Sequence, residues 1–359
     1  MVLFDMLHHL DRVQAALRGA AREGRLAHAY LFWGPEGVGK TRMAQALAQL
    51  ILCRAPDPPC GRCLECDRVG RFTHPDLHVI FPSLRGTEGE ERRHLEAFAA
   101  DPFHTLQVPR QATIGIERIR SLKLESSKAR VAQGNRAVIL RDADRMTPEA
   151  AQAALKLIEE PQPGTFLVLT ARDPHRLLPT ILSRCQRIRF PALPREFVEG
   201  VLRERGVEEG EARLIAGLAG GGLGRALQFA GREALAFRDQ ALALLAVPLR
   251  DAEEAGERVG RSGSAWDVEA VQMAAELLLS WYGDLIAVKF GMPAQNLVHA
   301  DRIDDLQAAA RAADLSEIRR RIAALEEMVL AVEQNVNPLL ALQATLLAMN
   351  GLVEVDPLF

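Results

Sequence analysis

Aromatic residues are scarce, 5% of the 359 residues, while 48% hydrophobic and 25% charged residues are close to the average for soluble globular proteins. The composition reads as an ordinary bulk rich in helix, long enough for two or three domains. Charge of one sign is also lacking. A formal net charge of -3 excludes a chain that grips nucleic acid by its overall field, so any such contact needs a local patch. The opening Met1-Val-Leu-Phe-Asp-Met lacks a basic leader followed by an apolar run, so export is not expected. The most apolar stretch, Val268 to Val288, is interrupted by Glu269, Glu276 and Asp284; this excludes a membrane span and leaves a buried helix. Cysteines number 5, and 4 of them crowd between Cys53 and Cys66, which without export points to metal rather than disulfides.

Up to about residue 190, short apolar runs alternate with amphipathic stretches, the rhythm of an open parallel sheet flanked by helices. Strands are expected at His28 to Trp33, Asp76 to Phe81, Ala137 to Leu140, Phe166 to Thr170 and Gln186 to Phe190, with a helix over Thr41 to Cys53. The polar stretch from Ser83 to Gln111 has no sustained period and reads as a mobile insertion. Pro191 and Pro194 mark a hinge. A small helical unit follows to about Ala230, broken at Gly220 to Gly224. Beyond Glu233 the chain is helical. Ile318, Ile322, Leu325, Val329 and Val332 recur at three to four residues behind Asp314 and Glu317, a pair like a capping box, and Asn337-Pro338 opens a last helix.

Gly34-Pro-Glu-Gly-Val-Gly-Lys40-Thr41 fits the P-loop pattern after an apolar strand and before a helix. Gly34, Gly37 and Gly39 let backbone amides close around phosphates, Lys40 reaches the β and γ oxygens, and Thr41 ligates magnesium. Cys53, Cys60, Cys63 and Cys66 contain two overlapping C-x-x-C steps, the donor set of a closed structural zinc site. The alternative is a merely buried Cys53. His74 and His78 could be spare ligands, but His74-Pro-Asp76 reads better as a turn before a strand. The strand Ala137 to Leu140 continues Arg141-Asp142-Ala-Asp144, so an arginine stands where a P-loop ATPase needs a magnesium carboxylate. Asp142 falls at the water-activating position with a side chain one methylene short of glutamate, and positioning a nucleophile is sensitive to shifts of about 1 Å. Hydrolysis by this chain is therefore not expected. Arg118, Arg120, Lys123, Lys128, Arg130 and Arg136 form a basic run, read either as a DNA-lining stripe or as a solvated face.

His28-Ala-Tyr-Leu, Gly34 to Thr41, the cysteine set, Thr73-His-Pro-Asp76, Ala154 to Pro161 and Leu182-Ser-Arg-Cys185 together resemble the bacterial DNA polymerase III clamp-loader subunits, gamma/tau and delta-prime. The resemblance covers roughly residues 1–230. It implies a P-loop AAA+ α/β domain with a zinc insertion at 53–66, over residues 1–191, then a helical lid at 192–231 and an all-helical oligomerisation collar at 232–359. The degenerate acidic pair and the short tail resemble delta-prime more than the ATP-hydrolysing gamma/tau, while the intact P-loop leaves passive binding of ATP and magnesium open.

By motif, the resemblance implies that Thr170 is the sensor-1 position, Arg225 the sensor-2 position, and Arg184 an arginine finger acting on a neighbour's ATP. Bland readings stand beside these: a strand cap, a solvated lid residue and a solvated arginine. Cys185 reads as a small buried side chain. The implied partners are gamma/tau and delta in a hetero-pentamer, the sliding clamp and primer-template DNA, in the cytoplasm. A motor ATPase using Asp142 or Asp144 for magnesium is one rival, and a DNA-binding regulator reading through the cysteine module is another.

Overall fold

The computed structural model describes residues 2–7, 10–84, 88–101, 112–127, 134–230, 233–244, 250–261 and 266–353. They form two compact units, one of Met1–Pro194 with Gly221–Leu227, the other of Arg195–Gly220 with Gln228–Phe359. Among the described residues no helix is long and apolar enough to cross a membrane.

The first unit is built on five parallel strands, β1 (Ala29–Trp33), β2 (Leu77–Ile80), β3 (Arg136–Leu140), β4 (Thr165–Ala171) and β5 (Gln186–Arg189), in the order β2-β3-β4-β1-β5. All five expected strands are present, each within a residue or so of its expected bounds. The apolar runs of β1 and β3 are explained by burial on both faces, as parallel sheets covered by helices require. The helices of this unit are α1 (Asp11–Arg22), α2 (Lys40–Leu52), α3 (Leu64–Gly70), α4 (Glu88–Ala100), α5 (Ile116–Ser127), α6 (Pro148–Glu159) and α7 (Pro179–Leu182). One face of the sheet packs with α5 and α6 in a core that includes Leu31, Val138, Leu140, Leu169, Ile119 and Ile158.

The stretch from Ser83 to Gln111 corrects the sequence reading, because residues 88–100 form the helix α4. Its docking is tertiary. Arg42 of α2 lays its guanidinium 3.8 Å from the Phe98 ring centroid and donates to the carbonyls of Phe98 and Asp101, supplying partners that a helix C-terminus otherwise lacks. Phe72 meets Phe98 edge-on at 5.7 Å. With Phe98 alone buried among its described side chains, α4 leaves little periodic signal. Residues 102–111 lie outside the described residues.

In the second unit α8 (Arg195–Glu204) and α9 (Glu209–Leu218) lead to α10 (Leu223–Phe229), which begins in the first unit; then come α11 (Ala234–Ala243), α12 (Ala252–Arg261), α13 (Val268–Lys289), α14 (Ile303–Ala312), α15 (Leu315–Glu333) and α16 (Pro338–Met349). The expected caps form: Asp314 accepts from the Glu317 amide at 2.7 Å and Asn337 from those of Leu339 and Leu340. The apolar run at Val268 is the buried helix α13. Arg195 bonds the carbonyls of Leu297 and Arg213, both at 3.1 Å, which ties α8 to α9 and to the loop after α13.

The same loop buries His299 completely, edge-on to Trp281 at 5.4 Å, with no hydrogen-bond partner for either ring nitrogen among the described residues. Its backbone amide and that of Val298 donate to the buried Asp284 carboxylate at 2.7 and 3.2 Å. Burial, and then the Arg238 cation held by Asp239 and Asp301, pushes the His299 imidazolium down to about 4. The unfolded chain therefore holds the extra proton between about pH 4 and 6.5, so this stability is present above 6.5 and lost as pH falls through 4. The wild type is expected to lose about 2 kcal/mol more than His299→Phe between pH 7 and pH 5 in urea unfolding. Equal losses would refute the assignment.

Candidate functional site

Ligands of open parallel sheets sit beyond the carboxyl ends of the strands, where the chain order reverses. Here β1 lies between β4 and β5 while the chain runs on to β2 at the far edge. The ends of β1, β3 and β4 thus bring Gly34 to Thr41, Arg141 to Asp144 and Thr170 to one place. The loop after β1 needs its glycines. A Cβ at Gly34 (φ 147°) would stand 2.1 Å from the Phe190 carbonyl oxygen, and one at Gly37 (φ 75°) 2.6 Å from the Gly224 amide. Gly39, also at positive φ, caps α2, so Lys40 and Thr41 open the helix as the motif demands.

The loop's cation is already engaged. Lys40 Nζ donates to the carbonyls of Gly34 at 2.7 Å and Pro35 at 2.5 Å. Burial pushes this ammonium down to about 8, against the opposing pull of Asp142, Glu36 and Asp144. Gly224 N donates to the Gly37 carbonyl at 3.2 Å, which sets half-buried Arg225 in the first turn of α10 against the loop.

The acidic positions are occupied as well. Asp142, in the left-handed region at φ 51°, pairs with Arg141 at 3.2 Å, and its amide donates to the hydroxyl of fully buried Thr170 at 3.0 Å. One oxygen of Asp144 accepts from the amides of Arg172 and Asp173 at 3.0 and 3.1 Å. The Asp144 carboxylate and the Asp142 amide thus join the end of β3 to the end of β4, while the Asp142 carboxylate pairs with Arg141, which brings positive charge to the same spot.

Arg184 lies between α7 and β5 with its side chain 42% exposed, paired with Glu159 of α6 at 3.0 Å. Cys185 next to it is buried, and burial pushes its thiol up to about 11, so it stays protonated as a small apolar side chain. The basic run is only partly described, with Arg118, Arg120 and Lys123 on α5. Arg136 is buried against Asp76, Arg120 pairs with Glu117, and Lys128 and Arg130 lie outside the described residues.

Cys53 ends α2, Cys60 and Cys63 follow on the connecting loop, and Cys66 lies in α3. Their sulfurs lie within 4.8 Å of one another, so together they could hold a metal. Neighbouring pairs are Cys53–Cys60 at 3.7 Å, Cys53–Cys63 at 3.9 Å and Cys60–Cys66 at 4.0 Å. Cys63 also caps α3, accepting from the Cys66 amide at 3.4 Å. The amides of Arg62 and Cys63 hold the Cys60 thiol down to about 6, while burial pushes those of Cys53 and Cys66 up.

Sequence reasoning missed what supports this cluster. Gln45 and Gln49, buried on α2, donate to the carbonyls of Val69, Gly70 and Cys66 at 3.0 to 3.1 Å. His74 accepts from the Asp76 amide at 3.0 Å and points its other nitrogen at Glu65 of α3, 2.9 Å away. The expected turn at His74 forms, and the residue braces the cluster from outside. The available signal was a pair of glutamines one helical turn apart in an otherwise apolar helix.

Residues 10–194 match the family described as DNA polymerase III, delta subunit. DNA polymerase III subunit delta' of Bacillus subtilis is 28% identical over 336 residues, 91% of this chain and 92% of that one. The delta' subunit of Pseudomonas aeruginosa is 35% identical over 161 residues, 44% of this chain and 42% of that one. Subunit tau of Bacillus subtilis is 27% identical over 240 residues, 65% of this chain and 36% of that one. With more than half of its length matched by the family, and with delta-prime subunits as relatives, this chain belongs to the DNA polymerase III delta-subunit family, as a clamp-loader subunit of the delta-prime type.

Proposed function

We propose that this chain is the assembly subunit of its clamp loader that hydrolyses no ATP itself and lends Arg184 to the ATP site of an adjacent gamma/tau-type subunit. The observation that carries the reading is the end of β3. Arg141 pairs with Asp142, and Asp144 gives one oxygen to two backbone amides, its other oxygen having no hydrogen-bond partner among the described residues. Magnesium needs net negative charge there, and the Arg141 cation beside Asp142 opposes it. Gly34, Gly37, Gly39, Lys40 and Thr41 remain able to cradle phosphates, with Thr170 and Arg225 at their sides, so nucleotide binding without turnover is part of the proposal. Its other parts are a hetero-pentamer with gamma/tau and delta, loading of the sliding clamp onto primed DNA in the cytoplasm, and division into an AAA+ domain (1–191), lid (192–231) and collar (232–359).

The isolated chain is expected to show ATP turnover indistinguishable from buffer, with and without primed DNA. Turnover at the level of a motor subunit would sink the proposal. Arg141→Asp should raise magnesium-dependent nucleotide affinity, because it exchanges a cation for a ligand where the metal binds.

The cysteine cluster is proposed to hold one structural zinc. Tetrahedral ligation at about 2.3 Å per bond requires sulfur separations of about 3.8 Å, and three of the pairs lie between 3.7 and 4.0 Å. All four positions are protein thiols, so zinc there contributes folding free energy and has no open site for a substrate.

A further inference from the structure

We infer that Glu159 is a positioning residue for the arginine finger, holding the Arg184 guanidinium in the orientation in which it meets the neighbour's γ-phosphate. This rests on the trans role proposed above for Arg184. The finger's five N–H groups are unevenly committed. Nε forms an ion pair with Glu159 Oε1 at 3.0 Å, and Nη1 donates to the Thr180 carbonyl at 3.1 Å and the Ser183 hydroxyl at 3.2 Å. The Ser183 hydroxyl donates in turn to Thr180 at 3.0 Å, which leaves its lone pair for the arginine. Nη2 has neither a hydrogen-bond nor an ion-pair partner among the described residues. The guanidinium is rigid and planar, so the ion pair at Nε together with the bonds at Nη1 sets where the Nη2 protons point.

The three restraints come from two directions. Thr180 and Ser183 belong to the finger's own turn and move with it. Glu159 ends α6, and its carboxylate anchors that turn to a helix whose Ala150, Ala154 and Ile158 are buried in the core. Without it the side chain keeps its local bonds and loses its reference to the rest of the subunit. The pair is partly open to water, 42% and 39% exposed, so it restrains weakly. That suits a group which must tolerate a phosphate at close range without giving up its charge to a buried carboxylate.

In the neighbour's site water attacks the γ-phosphorus and the bond to the β–γ bridging oxygen breaks, giving ADP, inorganic phosphate and a proton. Charge spreads over the equatorial oxygens, and placement of the guanidinium is what the finger contributes.

The test is single-turnover ATP hydrolysis by the reconstituted complex on primed DNA, at saturating ATP, with four versions of this chain: wild type, Arg184→Ala, Glu159→Ala and the double variant, plus Glu159→Gln. Arg184→Ala should abolish one hydrolytic phase. Glu159→Ala should slow that same phase by about two- to fivefold, the scale of an exposed ion pair, with ATP affinity unchanged. Glu159→Gln, which removes the charge of the pair, should slow the phase to a similar degree. The double variant should match Arg184→Ala. If Arg184→Ala removes no phase, the finger reading fails and takes the inference with it. If that phase disappears as expected but Glu159→Ala leaves it at the wild-type rate or faster, only the inference fails. A double variant slower than Arg184→Ala, or a Gln variant at the wild-type rate, overturns it equally.

Discussion

Replacing Arg184 with alanine or lysine is expected to silence one ATP site of the assembled loader while leaving folding, metal content and assembly near normal. Arginine fingers contribute about 10³ to 10⁵ in rate at the site they serve, and lysine cannot reproduce a planar fork that reaches two oxygens. The side chain is 42% exposed and its partners are Glu159, Thr180 and Ser183, so removing it breaks no core contact. An exposed ion pair stabilises by about 1 kcal/mol at most, too little to change assembly. Residual turnover from the other sites should persist, and clamp loading should fall sharply. A mutant complex that loads clamps at the wild-type rate would reduce Arg184 to an ordinary surface residue.

The second large effect is expected at the cysteine cluster. Carefully purified protein should contain one zinc per chain, and Cys63→Ser should bring this below about half an equivalent. Cys63 is both a donor and the cap of α3, so its loss strikes twice. Cys66 is 1% exposed, and α3 is otherwise held by Gln45, Gln49 and the Glu65–His74 pair. Without a metal to balance them, crowded buried thiols become a liability, and the melting temperature of the α/β unit should drop by about 5 °C or more. A chelator should lower the wild type in the same way and leave the variant unmoved. ATP turnover by the isolated chain should not change, because the cluster has no open coordination position. Zinc below about half an equivalent in the wild type would refute the site.

The positions of the strands along the chain, the P-loop, the cysteine spacing, the helix caps at Asp314 and Asn337 and the arginine at position 141 were all legible in the sequence, because each is set by neighbours within a few residues: apolar period, glycine at a forced φ, a capping side chain, a C-x-x-C step. The fates of long polar side chains were not. Arg42 and Arg136 are both arginines, yet one caps α4 through Phe98 and the other is buried beside Asp76. Helix α4 read as an irregular insertion because its order comes from that arginine and from Phe72, neither of which is in its own segment. Asp144 looked like a spare metal ligand, and the return of β4 beside β3 is what turns it into a cap for Arg172 and Asp173. Local patterns fix which element forms and where its backbone turns. Only the tertiary fold decides which distant partner takes a charge out of water, because a buried polar group must find a partner wherever the chain brings one.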